Sequence, residues 1–479
     1  MSNIKYIRLV IPLIFMLFLQ TCHQNRQTVR VREEISPIVE LKHVKLRGKI
    51  RVVTDYNSTN YFIYKGKPMG FQYELLKELA DHLNVKLELT VNNNLTDAFD
   101  ALEKGKCDLL AMNLAITKER AKRFTFTVPY SQTRQVLVQR KTNRADLTSD
   151  LNGEPLLIRN QLDLAGKTIY VQEGSAFEER LHSLSNEIGD TINIVNNGSY
   201  EVEQFISLVA KGDIDYTIAE ENVALVNQTY YPNLDVETAI SFPQNLGWAL
   251  RKGSINLKED IDKWITEFKK SSKFKKIYRK YFRNNRSVRI VNSEYFSIKS
   301  GKISRFDPII KRKANMIGMD WRLLASLIYQ ESRFDPKAES WVGAFGLMQL
   351  MPETAYLYDV DTLSTPEQNV EAGVKYIEYL NKRLDKTLKD QAADKLQFIL
   401  ASYNVGLGHI LDARRLAEKN GKDPNKWAGN VDYYLLNKSK PEFYNDPVVR
   451  YGYCRGEEPF NYVNDILERY KHYQNILTN

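Results

Sequence analysis

The pattern of hydrophobic and polar residues changes once along the chain and predicts two kinds of module. Between residues 47 and 285, alternating runs such as 50–54 and 85–91 predict strands, and the spacing of the leucines in 72–83 predicts a helix. Strands and helices alternate throughout this part, which is typical of an α/β layered domain. From residue 302 to 479, apolar residues recur at helical spacing, so a mainly α module is predicted there.

Charge is concentrated at the junction between the two modules. The chain has 479 residues and a formal net charge of +9, and residues 251–300 hold fifteen Lys and Arg against five Asp and Glu. This concentration argues against a broad nucleic-acid-binding surface. Residues 259–284 predict amphipathic helices whose basic face is either simply solvated or a contact for anionic lipid headgroups or cell-wall carboxylates. Residues 286–301 are predicted to be a linker.

Composition excludes several classes of protein. With 43% hydrophobic residues, the chain is neither wholly disordered nor fibrous, and its length suggests about two to four domains. Three cysteines are too few for a disulfide scaffold or a cysteine zinc site, and Cys107 and Cys454 are predicted to be buried free thiols. The histidines are scattered and no phosphate-binding glycine loop is present, so we predict no metal and no cofactor.

The N-terminus has the pattern of a secretory signal. Lys5 and Arg8 precede an apolar run of eleven residues, which is short for a transmembrane helix. The segment ends at Cys22 in a sequence that resembles a bacterial lipobox. We therefore predict a signal peptide over 1–21, a lipidated Cys22 and a polar tether over 22–46, with the protein on the periplasmic face of the outer membrane. Ordinary cleavage and a retained anchor are the alternatives.

Several motifs in the first module point to a known family of receptors. Residues 70–74, 107–139 and 163–179 together resemble family-three periplasmic solute-binding proteins, the amino-acid receptors of bacterial uptake systems. The resemblance implies two lobes that close on a ligand in the cleft between them. It also implies two crossover strands, near Gln135–Arg140 and Leu246–Leu250.

The same resemblance implies a ligand site in the cleft. In this family an arginine after a Thr-x-x motif clamps a carboxylate, and its planar fork suits that group, so Arg120 takes this role here. Glu220 stands where the family has an aspartate for the ligand ammonium, and Ala115 replaces a frequent hydroxyl. We expect an amino acid or a muropeptide-like ligand, with these further contacts: Tyr56, Thr117, Gly174 and Ser175.

In the second module, one glutamate has the position of a general acid. Asp320 is suited to cap a helix whose apolar stripe includes Leu327 and Ile328, and Glu331 follows at the edge of that stripe. Burial beside apolar residues raises the pKa of a carboxyl group, as proton donation to a glycosidic oxygen requires. Taken alone, Glu331 would more often be an exposed residue at a helix end.

Four ordered motifs then give this glutamate a context. Glu331-Ser332, the run 346–349, the run 402–406 and Tyr462-Val463 resemble the lytic transglycosylase family with a goose-type lysozyme fold. The resemblance implies that Glu331 is catalytic and that peptidoglycan glycan strands are the substrate. It also implies a set of substrate-binding residues, which are Ser332, Ser340, Met348, Gln349, Tyr403, Asn404 and Tyr462.

The chain is therefore predicted to be an enzyme that cleaves the bond between N-acetylmuramic acid and N-acetylglucosamine without water. The resemblance implies a 1,6-anhydromuramyl product and a ligand-sensing N-terminal module. A muramidase that uses water is one alternative. A solute receptor whose C-terminal module only binds glycan is the other.

Overall fold

A computed structural model of the chain describes residues 39–141, 157–283, 301–388 and 394–477. The predicted signal peptide, Cys22 and nearly all of the predicted linker lie outside the described residues, as does most of the predicted tether. No helix in the described ranges is both long enough and apolar enough to cross a membrane. Residues Ile38–Asn479 form one compact unit, in which the two modules contact each other.

The first lobe of the N-terminal module is built on a mixed five-stranded sheet. Its strand order is β4-β1-β5-β14-β6, with β1 parallel to both β4 and β5, and β14 antiparallel to β5 and β6. The strands are β1 (Lys49–Thr54), β4 (Lys86–Val91), β5 (Leu109–Leu110), β6 (Phe124–Phe126) and β14 (Ala249–Arg251). A hairpin of β2 (Phe62–Tyr64) and β3 (Lys67–Met69) projects from this lobe.

The second lobe repeats the same architecture. Its order is β10-β9-β11-β8-β12, with β9 parallel to β10 and β11, and β8 antiparallel to β11 and β12. These strands are β8 (Gln135–Arg140), β9 (Thr168–Gln172), β10 (Asn193–Asn197), β11 (Tyr216–Glu220) and β12 (Leu234–Asp235). Two separate α/β sheets confirm the predicted fold class of this module.

The connection between the lobes lies a few residues from its predicted place. Strands β7 (Ser131–Thr133) and β13 (Gln244–Leu246) pair as an antiparallel ribbon between the two sheets. The predicted crossover segment Gln135–Arg140 is instead the fully paired strand β8 of the second lobe. The prediction missed the crossover because the apolar residues of Gln135–Arg140 belong to a buried strand. The crossover strands themselves are more polar.

Helices cover both sheets of the N-terminal module. They are α1 (Leu41–Arg47), α2 (Phe71–Leu83), α3 (Leu95–Glu103), α4 (Lys118–Arg123), α5 (Ala176–Ile188), α6 (Val202–Lys211), α7 (Glu221–Gln228), α8 (Ile255–Phe268) and α9 (Ser272–Phe282). Helix α8 and the basic helix α9 bury Ile261, Trp264 and Ile277 in the first lobe. Cys107 and Cys454 are both buried free thiols, as predicted.

Helix α1 corrects the prediction that the tether extends to residue 46. Val44 is fully buried, and the Glu40 carboxylate accepts a hydrogen bond from the backbone N–H of Asn256 at 2.9 Å. The prediction failed because this segment has few apolar residues. Its helix is stabilised by packing against the first lobe, and packing is a tertiary effect that local composition does not show.

The C-terminal module is helical in its described parts. Its helices are α10 (Asp307–Met316), α11 (Trp321–Ser332), α12 (Pro352–Tyr356), α13 (Pro366–Asp385), α14 (Lys395–Val405), α15 (Leu407–Lys419), α16 (Asp432–Leu436), α17 (Pro441–Tyr444) and α18 (Glu457–Ile476). Helices α11 and α18 pack together, and α14 packs against α18. The mainly α prediction is confirmed.

The β2–β3 hairpin docks the first lobe onto the C-terminal module. Ile63 of β2 belongs to the hydrophobic core of that module. The Tyr473 hydroxyl donates to the Gly66 carbonyl oxygen at 2.7 Å, and the Tyr61 hydroxyl lies 2.7 Å from Nδ1 of His472. Helix α18 therefore contacts the N-terminal module on one side and α11 on the other.

Candidate functional site

Glu331 lies at the end of helix α11, where the sequence places it. Asp320 caps the helix, since its Oδ1 accepts the backbone N–H of Arg322 at 2.9 Å. The helix buries Leu327 and Ile328 and ends at Arg333, whose φ of 53° takes the chain out of the helix. The Glu331 side chain is thereby held against an apolar core, and the residue is half-buried.

One tyrosine controls the ionisation of this carboxyl group. Burial raises the pKa of Glu331 to about 7, and a hydrogen bond from Tyr462 acts in the opposite direction. The Tyr462 hydroxyl on α18 donates to Oε1 of Glu331. Because α18 packs against α11, the helix pair fixes the geometry between these two side chains. A carboxyl group with this pKa is protonated in a substantial fraction of molecules at neutral pH.

Tyr403 lies close to the same carboxyl group. Its pKa is raised far above the usual range, first by burial and then by the charge of Glu331. Its hydroxyl donates to the Met348 carbonyl oxygen at 2.8 Å, and its ring packs on Tyr376 with centroids 5.5 Å apart. The structure thus brings together Glu331, Tyr403 and Tyr462 from three helices.

The loop that follows α11 is held by the predicted polar residues. The Ser332 hydroxyl donates to the Leu347 carbonyl oxygen at 2.8 Å. The Gln349 amide donates to the Ala338 and Gly346 carbonyl oxygens at 2.9 and 3.0 Å, and its backbone φ is 46°. These side chains fix the loop beside the catalytic helix. They leave Oε1 of Gln349 without a hydrogen-bond partner among the described residues.

Two predicted substrate contacts serve the loop instead. Met348 is fully buried and packs against Gly373, so its side chain has no surface to offer a polymer. Ser340 Oγ accepts the backbone N–H of Ala344 at 2.9 Å and closes a turn. For Met348 the prediction of substrate contact is wrong, because a Gly-Leu-Met run does not show which of its side chains faces inward.

Sequence reasoning missed residues that support this site. The Asn369 Oδ1 accepts the backbone N–H of Met348 at 2.9 Å, and its side chain occupies the space next to Gly346. Trp341, in the turn that Ser340 closes, is 97% exposed and offers a flat apolar face of the kind that binds sugar rings. Asn404, a predicted substrate contact, is the second-last residue of α14, which ends at Val405 just before Gly406 with its φ of 88°.

The N-terminal module contains a second site in the cleft between its lobes. The guanidinium of Arg120 crosses the cleft, because it donates to the Ala115 carbonyl oxygen of the first lobe at 3.1 Å and to that of Gly174 in the second at 3.2 Å. Ser58 of the first lobe donates its backbone N–H to Glu203 of the second at 2.9 Å. The lobes are therefore bridged directly in this structure.

Acidic residues outnumber basic ones in the described lining of this cleft. Burial raises the pKa of Asp55 to about 6 and that of Glu220 to about 7, and it also raises the pKa values of Glu201 and Glu203. Among the described residues that line the cavity, Arg120 is the one basic side chain. Its pKa is lowered, first by burial.

The predicted ligand residues divide into two groups in this cleft. Arg120, Ser175 and Glu220 line the cavity. Asp55 and Asn57, the neighbours of Tyr56 in the sequence, belong to the described lining of the cavity. Tyr56 itself exchanges hydrogen bonds with the Asn93 side chain through its backbone N–H and carbonyl groups. Thr117 accepts the backbone N–H of Arg120 at 3.3 Å and caps α4, while Gly174 contributes its carbonyl oxygen.

Asp55, Glu201 and Glu203 were not predicted as ligand residues. Asp55 directly follows β1, so the rule that ligands bind beyond the carboxyl ends of parallel strands could have found it. Glu201 and Glu203 begin α6 and reach the cleft only through the arrangement of the lobes. Within the described ranges, no three acidic, histidine or cysteine side chains are placed to hold a metal ion.

Comparisons with family models divide the chain where the fold does. Residues 49–284 match the bacterial extracellular solute-binding proteins of family 3, and residues 308–426 match the transglycosylase SLT domain. The second match includes Glu331, Gln349 and Asn404 and ends before Tyr462.

Full-length relatives combine both modules. The chain is 36% identical over 434 residues to a membrane-bound lytic murein transglycosylase F of Desulfosudis oleivorans, covering 89% of this chain and 90% of that protein. It is 32% identical over 441 residues to a protein of the same name from Pseudomonas fluorescens, covering 91% and 86%. An ancestral amino acid-binding protein, a precursor of cyclohexadienyl dehydratase, aligns with 51% of this chain and 99% of its own at 26% identity and a TM-score of 0.43.

Proposed function

The chain belongs to the membrane-bound lytic murein transglycosylase F family and is a lytic murein transglycosylase, and from this premise we propose how it acts. It cleaves the β-1,4 bond between N-acetylmuramic acid and N-acetylglucosamine and leaves a 1,6-anhydromuramyl end. Glu331 serves first as the general acid and then as the general base.

The reaction needs one carboxyl group that first donates a proton and then accepts one. Protonated Glu331 gives its proton to the glycosidic oxygen as the bond to C1 breaks, through a transition state with oxocarbenium character. The carboxylate then removes the proton of the C6 hydroxyl of the same sugar, whose oxygen bonds to C1. The leaving sugar keeps the first proton and Glu331 regains the second, so no water is consumed. A pKa of about 7 supports both steps.

The observation that carries this proposal is the pairing of Glu331 with a tyrosine and not with a second acid. Burial raises the pKa of Glu331, and the hydrogen bond from Tyr462 lowers it. Glycosidases that use water generally need two carboxyl groups across the scissile bond. Asp335, four residues further on, is exposed and accepts the backbone N–H of Lys337 at 2.9 Å.

The polar groups around Glu331 have distinct parts in this mechanism. Tyr462 holds the carboxyl group and stabilises its charged form between the two proton transfers. Gln349, through its remaining Oε1, and Asn404 hydrogen-bond the glycan, while Ser332 and Tyr403 keep the groove in shape. Their contacts to the loop carbonyl oxygens support this division.

The N-terminal module senses a ligand on the same side of the membrane. Its cleft binds an amino acid or a muropeptide-like molecule, with Arg120 at the carboxylate and Glu220 at the ammonium. Lipidation of Cys22 anchors the protein to the periplasmic face of the outer membrane. The membrane-bound description of the relatives supports the anchoring.

Mass spectrometry of digested peptidoglycan tests the proposed reaction. Each cut made by this mechanism gives a fragment that is one water lighter than a hydrolysis product. Fragments with free reducing ends would identify a muramidase. Radiolabelling with palmitate, compared between the wild type and Cys22→Ala, tests the anchor separately.

A further inference from the structure

The cleft of the N-terminal module holds more carboxyl groups than one amino-acid ligand with a single ammonium group would pair with. Four carboxyl groups line it, of Asp55, Glu201, Glu203 and Glu220, against the single guanidinium of Arg120 in the described lining. Glu201 and Glu220 are only 9% and 8% exposed. Burying like charges together is unfavourable unless a counter-charge is supplied.

The protein supplies hydrogen bonds to these carboxyl groups but no close cation. Asp55 accepts from the side-chain amides of Asn57 and Asn60, the latter at 2.8 Å. Glu203 accepts from Ser58 and from the Asn227 amide at 3.3 Å. In the described part of the chain, none of the four forms an ion pair within 4.0 Å. Neutral donors position the acids without neutralising them, which leaves that task to a ligand.

The end of the cavity at Ser175 and Arg120 suits an anion. The Ser175 hydroxyl lines the cavity, belongs to a side chain only 7% exposed and has no partner among the described residues. Ser175 also precedes the thirteen-residue helix α5, whose first backbone N–H groups attract negative charge. Arg120 lies in the same lining. This end therefore holds a carboxylate, as the proposed function assigns.

We propose that the ligand of this cleft is a diamino acid, a small molecule with one carboxylate end and at least two ammonium groups. Glu220 holds the ammonium next to the ligand carboxylate. Asp55, Glu201 and Glu203 surround the second ammonium. The inference rests on the proposed ligand-binding function of the module and narrows the chemistry of its ligand.

An extended organic cation fits these acids better than a metal ion does. No group of three potential metal ligands is placed to hold a metal ion in the described residues. Asp55 interacts electrostatically with each of the other three, which places it between them. Of two separated ammonium groups, one can meet Glu220 and the other the remaining carboxyl groups, whereas a single small ion cannot meet both sets.

Calorimetric titration of the full chain with matched probes tests the proposal. L-Lysine and L-norleucine differ by one ammonium group, and we expect lysine to bind about 10- to 100-fold tighter, as hydrogen bonds to charged groups of about 1.5–3 kcal/mol imply. Cadaverine, which lacks the carboxylate, should bind more weakly than lysine. meso-Diaminopimelate distinguishes a free amino acid from a cell-wall fragment as the source of the ligand. Tighter binding of meso-diaminopimelate than of lysine would indicate a ligand derived from cell-wall peptides.

The other outcomes separate this inference from the proposed function. Equal or tighter binding of norleucine would overturn the diamino-acid assignment and leave the amino-acid-binding function standing. No binding of any probe, with neutral amino acids and a muropeptide included, would overturn both.

Paired variants locate the second ammonium. Glu203→Gln should reduce the lysine-to-norleucine affinity ratio at least fivefold, because it removes one of the charges facing the second ammonium. Glu221→Gln is the matched control, because Glu221 already pairs with Arg134 at 2.6 Å. Its affinity ratio should equal that of the wild type. An unchanged ratio in Glu203→Gln would overturn the placement of that ammonium.

Discussion

The two sites of this protein hold buried carboxyl groups in opposite arrangements. In the C-terminal module one carboxyl group, Glu331, is joined to a single hydroxyl donor, Tyr462. In the cleft of the N-terminal module four carboxyl groups lie near one another and near one guanidinium. Burial raises the pKa of Glu331 and of Glu220 to the same value of about 7.

This comparison shows that a raised pKa does not by itself identify a catalytic acid. Glu331 can give one proton, and the Tyr462 hydroxyl stabilises the carboxylate that remains. The raised pKa of Glu331 therefore suits proton transfer. The cleft acids have no group to exchange protons with in a reaction. Their pKa values are raised first by burial, and for Asp55, Glu201 and Glu220 also by neighbouring carboxyl groups. The partners of a buried acid, and the number of acids, separate the two functions.

The largest expected effect comes from removing the single acid. Glu331→Gln should lower the rate of peptidoglycan cleavage by about 10²–10⁴-fold, the usual contribution of a general acid. Lysine affinity in the cleft should not change, since the two sites use different groups. The rate is measured as release of 1,6-anhydro fragments. Glu353→Gln, an exposed acid in α12, is the control and should retain full activity. Substantial activity in Glu331→Gln would reject the assignment.

A second prediction is that rising pH lowers the cleavage rate at one site and raises the lysine affinity at the other. Above pH 7 the protonated fraction of Glu331 falls, so the cleavage rate should fall about tenfold per unit at high pH. Asp55 and Glu220 ionise between pH 5 and 8, while the side-chain ammonium of lysine, with a pKa of about 10.4, stays charged. Lysine affinity should therefore rise over that interval. Rate and affinity are measured across the same pH series, and parallel trends would refute the comparison.

The position of Glu331 at the end of a helix could be predicted because its motif is local. Glu331 could be predicted from the stripe of α11 and the residues that follow it, and Tyr462 from the resemblance. The structure then showed that the two side chains touch, which requires α11 to pack against α18. The inward direction of Met348 depends on Gly373, which lies in another helix, and so could not be read from the loop.

The cleft was less predictable because its charges meet only in three dimensions. Arg120, Ser175 and Glu220 followed from the family resemblance. Glu203 looks like an ordinary first-turn acid of a helix, where a carboxylate is favoured in any case. Its contact with Ser58, 145 residues away, depends on how the two lobes meet.

A third prediction alters the partner of the single acid. Tyr462→Phe removes the hydrogen bond that lowers the pKa of Glu331, so that pKa should rise further. The alkaline limb of the pH–rate profile should then move up by about one to two units, as the loss of about 1.5–3 kcal/mol from a hydrogen bond to a charged group implies. Tyr470→Phe is the control on the same helix, because that hydroxyl donates to Asp320 at 2.8 Å. A Tyr462→Phe profile that matches the control would show that Tyr462 does not tune Glu331.

The smallest expected effect concerns the hairpin that joins the modules. A Cβ at Gly66 would lie 2.7 Å from atoms of Tyr329 and Phe334, which flank Glu331 in the sequence, and the φ of Gly66 is 76°. Gly48 has a similar φ of 68°, but nothing lies within 4 Å of its added Cβ. Both alanine variants therefore share the backbone strain, and Gly66→Ala alone adds overpacking of about 1–3 kcal/mol.

Thermal unfolding and cleavage rate separate the two glycine variants. Gly66→Ala should lower the unfolding temperature by several degrees more than Gly48→Ala does, because only the first disturbs the contact between modules. It should also reduce the cleavage rate a few-fold, since Tyr329 and Phe334 support the end of α11. Lysine affinity should be equal in both variants, because neither glycine lines the described part of the cleft. If the two variants lose stability and activity equally, the contact of the hairpin with Tyr329 and Phe334 does not support the end of α11.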